Sequence, residues 1–255
     1  MNYIGIDIGS TCAKFAVMDD DKNIVYKDSI PTGWSSPKAA EEIKSALSKN
    51  GFDAEKLRCI ATGYGRISVP YADSVVTEIT CHGLGAGFLF DRADMTVIDI
   101  GGQDTKIISL QNGKVSDFIM NDKCSAGTGR FLEVMSNALA LSPDELCSMA
   151  RDGSGVKISS MCTVFAESEI ISLIGSGIER KDIAYAITES IAEKVASLAK
   201  KFAAASENVV LTGGLCEVDF LREMLGEKLG KPVISAPLAR YAGAIGASLK
   251  AMEEK

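Results

Sequence analysis

Two stretches decide how this chain folds: IDIGSTCAK, from Ile6 to Lys14, and IDIGGQDTK, from Ile98 to Lys106. At an offset of 92 residues, Ile6/Ile98, Asp7/Asp99, Ile8/Ile100, Gly9/Gly101 and Lys14/Lys106 match without a gap. Each stretch reads as an apolar strand, a glycine turn and a second strand, and a third apolar strand follows in both copies, at Asn23–Ile30 and Lys114–Met120. The second copy turns at Gln111-Asn112-Gly113, and Asn-Gly is a strong hairpin signal. Two copies of one hairpin-plus-strand unit predict two lobes facing each other.

The surrounding sequence extends this to an α/β chain. Ser36-Pro37 opens a helix through about Asn50, stopped by Gly51. Leu57–Thr62 reads as a buried strand before the turn Thr62–Arg66, and His82–Phe90 as a helix. After Met120 the chain becomes mostly helical. Gly127–Leu141 has Phe131, Leu132, Met135, Ala138 and Leu139 at helical spacing. Ser142-Pro143-Asp144-Glu145 carries a capping-box pattern with proline first. Thr163–Ile174 and Arg180–Ser206 are further helices. Val209–Thr212 is a strand ending in Gly213-Gly214, with a helix after it through about Leu229. Pro232–Ser235 is a last strand and Ala239–Glu253 a last helix.

Composition narrows the function classes. The 255 residues are 46% hydrophobic and 24% charged, an ordinary globular balance. A formal charge of −7 makes nucleic acid or an anionic membrane a poor default partner. No apolar run reaches the ~20 residues that span a bilayer. MNYIGIDIGS lacks the basic and apolar regions of a signal peptide, so the expected location is the cytoplasm. There the seven cysteines should not be disulfides, and an odd number cannot all pair. A single histidine gives a His-rich metal site or a Ser-His-Asp triad little to draw on.

The glycine loops suit anions. Glycine lets backbone N–H groups come close to a phosphate. The hydroxyls of Ser10 and Thr11 can donate to its oxygens, the backbone of Cys12 and Ala13 lies in the same turn, and Lys14 adds positive charge. Asp7, at the strand end, can hold the waters of a Mg²⁺, which keeps most of its hydration shell. Asp99, Gly101, Gly102 and Gln103 repeat the arrangement. Leu211-Thr212-Gly213-Gly214 again follows a strand and opens a helix, where backbone donors can meet an anion or a nucleoside. One such loop alone is as readily an ordinary tight turn; the repeat and the third loop favour a triphosphate clamp. No G-x-x-x-x-G-K-[ST] is present, and Gly83, Gly85 and Gly87 are spaced wrongly for a dinucleotide site.

Two cysteines have matching settings. Cys124 stands in NDKCSAGTGRF and Cys162 in SSMCTVFAESE, each read as at or just before a helix start, where a thiol pKa falls. They are 38 residues apart, so they form no C-x-x-C knuckle. Two thiolates do not complete the four of a [4Fe–4S] cluster, but a two-fold dimer would supply them. Spacing alone favours two buried structural cysteines. Cys12 lies in the first loop, and Cys59, Cys81, Cys147 and Cys216 read as packing residues. His82 reads as a helix-start or hinge residue, and Trp34 as core packing, ahead of a role covering the cleft or a partner.

In order along the chain, the two phosphate motifs, the Gly-Gly motif and Ala242–Ala247 (AGAIGA, with Gly243) resemble the acetate/sugar kinase, heat-shock chaperone and actin superfamily. That resemblance implies an actin-like, ribonuclease H-like ATPase fold: two duplicated lobes, expected at 1–92 and 93–255, around a nucleotide cleft, with the last helix returning to the first lobe. TEIT, Thr77–Thr80, resembles the superfamily's first connecting motif, which implies that Glu78 reaches the Mg²⁺ waters or the attacking water. Asp99, with Glu78 or Gln103, would then position the hydrolytic water. TGYGR at Thr62–Arg66 and the two cysteine motifs together resemble the activators of 2-hydroxyacyl-CoA dehydratases, in the family shared with the ATPase subunits of benzoyl-CoA reductase (BadF/BadG/BcrA/BcrD). The resemblance implies that Cys124 and Cys162 ligate one [4Fe–4S] cluster between the subunits of a homodimer. It also implies that binding and hydrolysis of ATP, to ADP with Mg²⁺, drive one low-potential electron into a dehydratase or a related double-cluster protein. Ferredoxin or flavodoxin would recharge the cluster. A small-molecule kinase and a nucleotide-dependent binding protein are the alternatives.

Overall fold

The structure, a computed structural model, describes residues 1–160 and 162–254. The first repeat folds as β1 (Asn2–Ile8), β2 (Cys12–Asp19) and β3 (Ile24–Pro31). Helix α1 (Ser36–Lys49) leads to β4 (Arg58–Thr62), the short β5 (Ser74–Val75) and helix α2 (Glu78–Phe90). The second repeat supplies β6 (Met95–Ile100), β7 (Thr105–Gln111) and β8 (Lys114–Asn121). Helices α3 (Gly129–Ala138), α4 (Pro143–Ala150), α5 (Thr163–Gly175) and α6 (Arg180–Ala204) follow. Then come β9 (Val209–Gly213), helix α7 (Asp219–Leu229), β10 (Val233–Ile234) and helix α8 (Ala242–Glu253).

The sheets carry the duplication further than the matching sequence stretches do. One runs β3-β2-β1-β4-β5 and the other β8-β7-β6-β9-β10, the same order with each strand replaced by its counterpart. In the first sheet β1 pairs antiparallel with β2, bringing Asp7 opposite Lys14, and parallel with β4, bringing Asp7 opposite Thr62. The hairpin expected at Asn112-Gly113 turns with φ of 52° and 72°, the double left-handed conformation of a type I′ turn.

The chain divides into two compact units. One holds Met1–Val97, Ile108–Phe118 and Ala236–Lys255; the other holds Ile98–Ile107 and Ile119–Ser235. In the first unit Ile4, Ile6, Ile8, Phe15 and Val17 pack against Ala39, Ala40, Ile43 and Leu47 of α1. That helix starts where Ser35 accepts from Lys38 N–H, with proline in its first turn. The opposite face of the sheet packs Ala16 and Met18 on Ala244 and Ile245 of α8. Glycines set how closely α8 approaches: a Cβ on Gly85 of α2 would overlap the Ala242 carbonyl, and one on Gly246 would overlap the Cys81 carbonyl. The AGAIGA segment is therefore a helix-packing surface.

Several boundaries differ from the sequence expectation. Helix α2 begins at Glu78, capped at Thr77, so His82 lies in its second turn and is buried, neither helix start nor hinge. Helix α3 starts two residues later than expected, because Gly127 has φ +82° and Thr128 is the N-cap. Trp34 is 93% exposed, overturning its assignment to the core; Gly33 at φ +63° turns the chain just before it. The capping box at Ser142 and Glu145 forms as expected. Among the described residues no helix is long and apolar enough to cross a membrane.

Replacing Gly246 with alanine tests the helix contact. Alanine favours a helix interior by about 1 kcal/mol over glycine, yet here its Cβ has no room. Gly246→Ala should be destabilised by about 1–3 kcal/mol through overpacking, read as a lower denaturant midpoint at unchanged m. A neutral or stabilised variant would disprove the close approach.

Candidate functional site

Each repeat ends its first strand at a buried aspartate, and each aspartate has its own surroundings. In the first unit Asp7 is 4% exposed. The chain leaves β1 through Gly9, whose carbonyl accepts from Thr32 Oγ1 at 2.7 Å, while Thr32 N–H donates to Thr11 at 3.0 Å. The end of β3 thus holds the Ser10–Lys14 turn. The TGYGR segment folds onto the same strand end: Gly65 N–H donates to the Ile8 carbonyl at 2.9 Å. Gly63 has φ +86°, and a Cβ there would lie 2.5 Å from Asp7 Oδ1. The other carboxylate oxygen faces α2. His82 Nε2 lies 3.7 Å from Asp7 Oδ2 and 3.9 Å from Glu78 Oε1. Gly243, in the first turn of α8, closes this corner, since a Cβ there would lie 2.8 Å from His82 Nε2.

In the second unit Asp99 is 2% exposed. Thr212 Oγ1 donates to its Oδ1 at 2.8 Å. Lys106, 1% exposed, has its Nζ 3.5 Å from Asp99 Oδ2 and 2.7 Å from Asp104 Oδ2. The two lysines of the repeat therefore differ: Lys106 is buried among carboxylates, whereas Lys14 is half-buried. The position of Asp104 is held by Cys12 in the first copy. Gly213 has φ +87°, and a Cβ on it would sit 2.9 Å from Asp99 Oδ1. Gly214 N–H donates to the Ile100 carbonyl at 2.9 Å. Gly213 thus abuts one buried aspartate, as Gly63 and Gly243 abut the other, while Gly101–Gln103 and Ser10–Lys14 follow the two aspartates along the chain.

The second glycine loop also holds the start of α3. Gly129 N–H donates to the Gly101 carbonyl at 2.9 Å and Arg130 N–H to the Gly102 carbonyl at 2.7 Å. Thr105 Oγ1 donates to the Gly127 carbonyl at 2.7 Å. The segment before α3 contains Cys124. It is braced by Asn121 Nδ2, which donates to the carbonyls of Cys124 (2.8 Å) and Ala126 (3.2 Å), and by Thr128 Oγ1, which donates to Ser125 at 2.7 Å. Ser125 Oγ and Thr163 Oγ1 are hydrogen-bonded at 2.6 Å. Each is the residue after its cysteine, so this bond joins the Cys124 segment to the Cys162 helix.

The two cysteine settings are not alike. Cys162 is the N-cap of α5 and is exposed. Cys124 is half-buried in the loop before α3, five residues from its first residue and so further from the helix than the expected place at or just before its start. Met161 of the second motif lies outside the described residues. The approach to Cys162 is fixed by Glu169, which accepts from Ser159 N–H (2.9 Å), Ser160 N–H (3.1 Å) and Ser159 Oγ (3.1 Å). Burial acts to raise the Glu169 pKa, but these donors outweigh it and hold the carboxyl below its ordinary value. The remaining cysteines fit packing: burial pushes the thiols of Cys59 and Cys81 up to about 12 and that of Cys147 up to about 11, and Cys216 is 2% exposed. Cys12 is half-buried in the first loop.

Residues 4–251 match the BadF/BadG/BcrA/BcrD ATPase family. The chain belongs to that family. It is 42% identical over 254 residues to the (R)-2-hydroxyglutaryl-CoA dehydratase activating ATPase of Acidaminococcus fermentans, covering 98% of this chain and 97% of that protein. The crystal structure of the A. fermentans (R)-2-hydroxyglutaryl-CoA dehydratase component A superposes with a TM-score of 0.93 at 41% identity, over 100% of this chain and 98% of that one. The activator of the 2-hydroxyisocaproyl-CoA dehydratase from Clostridium difficile, with bound ADPNP, superposes with a TM-score of 0.92 at 37% identity, over 100% of this chain and 95% of that one. The duplicated sheet order is that of the actin-like ATPase fold.

The Thr212, Ser125, Thr163 and Glu169 contacts lie outside the sequence reading, although all four residues stand in motifs it quoted. The Asp7–His82 approach had no signal at all.

Two measurements test this description. In metal-free protein, iodoacetamide should label Cys162 first, then Cys124, with Cys59, Cys81, Cys147 and Cys216 modified only on unfolding, as read by peptide mapping; early modification of Cys59 would contradict its burial. Glu169→Gln should lower the thermal midpoint at neutral pH. A carboxyl whose folded pKa is depressed contributes above its unfolded pKa, about 4.3, and the contribution is lost as pH falls through the folded value. The midpoint gap between variant and parent should therefore be full above about pH 5 and close in acid. A gap independent of pH would remove the charge from the explanation.

Proposed function

We propose that this chain is an ATP-dependent one-electron donor that activates a 2-hydroxyacyl-CoA dehydratase or a related double-cluster protein, working as a homodimer. Family membership and the activator relatives support the ATP-dependent activity. The observation that carries the coupling is the pair of hydrogen bonds from Gly129 and Arg130 to the carbonyls of Gly101 and Gly102. The Gly101 carbonyl shares a planar peptide with the Gly102 N–H, and the Gly102 carbonyl shares one with the Gln103 N–H. In a trans peptide the two groups point in opposite directions, so each plane offers one edge to α3 and the other to an incoming anion. A phosphate drawn to those N–H groups moves the carbonyls that hold α3, and with α3 the Cys124 segment.

Each glycine loop offers donors to a nucleotide: Ser10–Lys14 from the first repeat, Gly101–Gln103 and Gly213-Gly214 from the second, with Gly243 at the edge of the first. Asp7 and Asp99 are the residues that would hold the waters of Mg²⁺, and Asp99 with Glu78 or Gln103 would orient the attacking water. Their contribution is positioning and charge neutralisation, as in phosphoryl transfer generally.

Cys124 and Cys162 fit a [4Fe–4S] cluster shared by two copies. Both are accessible, their neighbours are bonded to each other, and two thiolates from each chain make the required four. Such a cluster, when bound, supplies the single low-potential electron. The chain's part is to hold the two thiolates and to change their spacing when α3 moves. Helix α5, which Cys162 caps, leaves Val164, Phe165, Ile171 and Ile174 exposed, and this apolar surface suits contact with a second copy. Ferredoxin or flavodoxin would restore the electron.

Anoxically purified protein should be brown and hold about four irons per two chains. Cys124→Ser should lose the iron and keep ATP binding. A colourless dimer that binds ATP normally would overturn the electron-transfer reading and leave only an ATPase.

A further inference from the structure

The chain's single histidine sits beside both carboxylates of the first unit's site, and no role in phosphate binding or thiolate ligation accounts for it. His82 and Glu78 are one helical turn apart on α2, so both side chains leave the same face. Asp7 reaches that face from the end of β1. One ligand atom from each of the three lies within 4.8 Å of the others. His82 Nε2 is 3.7 Å from Asp7 Oδ2 and 3.9 Å from Glu78 Oε1. These separations exceed the 2.7–3.2 Å of an N–H···O hydrogen bond. They suit atoms that share an ion: two ligands each about 2.1 Å from a metal can stand up to about 4.2 Å apart. Three atoms spread evenly at about 2.1 Å around one ion stand about 3.6 Å apart, so the two His82 pairs are close to that spacing and a remaining pair at the full 4.8 Å must close by roughly 1.2 Å. The Glu78 side chain, at 22% exposed the freest of the three, can supply that movement.

Two further features mark the corner as built for a small charged occupant. Gly243 keeps carbon out of it, since any Cβ there would fall 2.8 Å from His82 Nε2 and against the Asp7 carboxylate. Asp7 is two-sided: Oδ1 faces the Gly63 turn and Oδ2 faces His82. The histidine decides the ion class. Mg²⁺ takes oxygen ligands in a near-ideal octahedron and keeps several waters. An imidazole with two carboxylates suits a divalent first-row transition ion.

We propose that Asp7, Glu78 and His82 form a binding site for a divalent transition ion, each supplying one ligand atom, and that the site fills without nucleotide. It shares Asp7 and Glu78 with the place proposed for the magnesium of ATP, and differs in using the His82 imidazole, in direct rather than water-mediated ligation and in needing no nucleotide.

The test uses Mn²⁺ and the full chain, desalted and free of nucleotide, with free Mn²⁺ read from its six-line solution EPR spectrum. One Mn²⁺ should bind per chain, and Mg²⁺ should displace it only in large excess. Outer-shell changes at metal sites already cost about 10–100-fold in affinity, so losing a direct ligand in His82→Gln or Glu78→Gln should weaken Mn²⁺ binding by at least about tenfold. Glu78 is the less buried of the two, so Glu78→Gln serves if His82→Gln does not fold. Failure to bind Mn²⁺ without nucleotide, equal displacement by Mg²⁺, or unchanged affinity in a folded variant would each overturn the proposal. None of these results bears on iron content or ATP binding, so the electron-donor reading stands or falls separately.

Discussion

The carbonyls of Gly101 and Gly102 are the most consequential groups in the second unit. A backbone carbonyl at a glycine turn is normally left to water, yet these two accept the N–H groups of Gly129 and Arg130. Those are among the donors that a helix start leaves unsatisfied. The turn therefore does for α3 what a capping side chain does elsewhere, and Thr128, though N-cap by position, makes no capping bond of its own. The stability of the helix and the shape of the loop are consequently one quantity. Downstream, Asn121, Thr128 and Ser125 pass that shape to the Cys124 segment, and the hydroxyl pair Ser125–Thr163 passes it to α5. Every link is a short hydrogen bond within a single compact unit.

Duplication of the strands did not duplicate the chemistry. Asp99 is surrounded by Thr212, Lys106 and Asp104, so its charge is met by a buried cation and a hydroxyl. Asp7 meets an imidazole, with a second carboxylate near it. The two repeats surround their buried aspartates from different elements: β7 and β9 for Asp99, α2 for Asp7. The positive φ of Gly63 and of Gly213 is the common device, in each case clearing space against a carboxylate oxygen.

The legible parts of the fold were those encoded by local pattern. The nine-residue repeat, the Asn-Gly hairpin and the Ser142 capping box all formed, because each depends on neighbours a few residues apart. Strand β5 went unseen because two residues carry no periodicity. Helix α3 was placed early because Gly127 reads as helical only until its φ is known. Of the candidate site, the glycine loops were visible as sequence, but what they touch was not. Asp7 and His82 are joined through the packing of α2 on α8 and of α8 on the sheet, and Ser125 and Thr163 through the packing of α5 on α3. Neither contact has a spacing to read. Trp34 misled for a simpler reason: tryptophan favours burial on average, and a left-handed glycine before it carried the side chain into solvent.

The matching sheet orders also show where the halves part. In each, the chain leaves the third strand and returns to the fourth by a crossover. In the first half that crossover contains a single helix, α1. In the second it contains α3, α4, α5 and α6, and both Cys124 and Cys162 lie inside it. A crossover can lengthen without disturbing strand register, since loop closure entropy grows only slowly with length. The second half is thus the same scaffold with its added helices confined to one interval, and α3 ties that interval to the Gly101-Gly102 turn. The interval is also where functional divergence among relatives of this architecture would accumulate at least cost to folding.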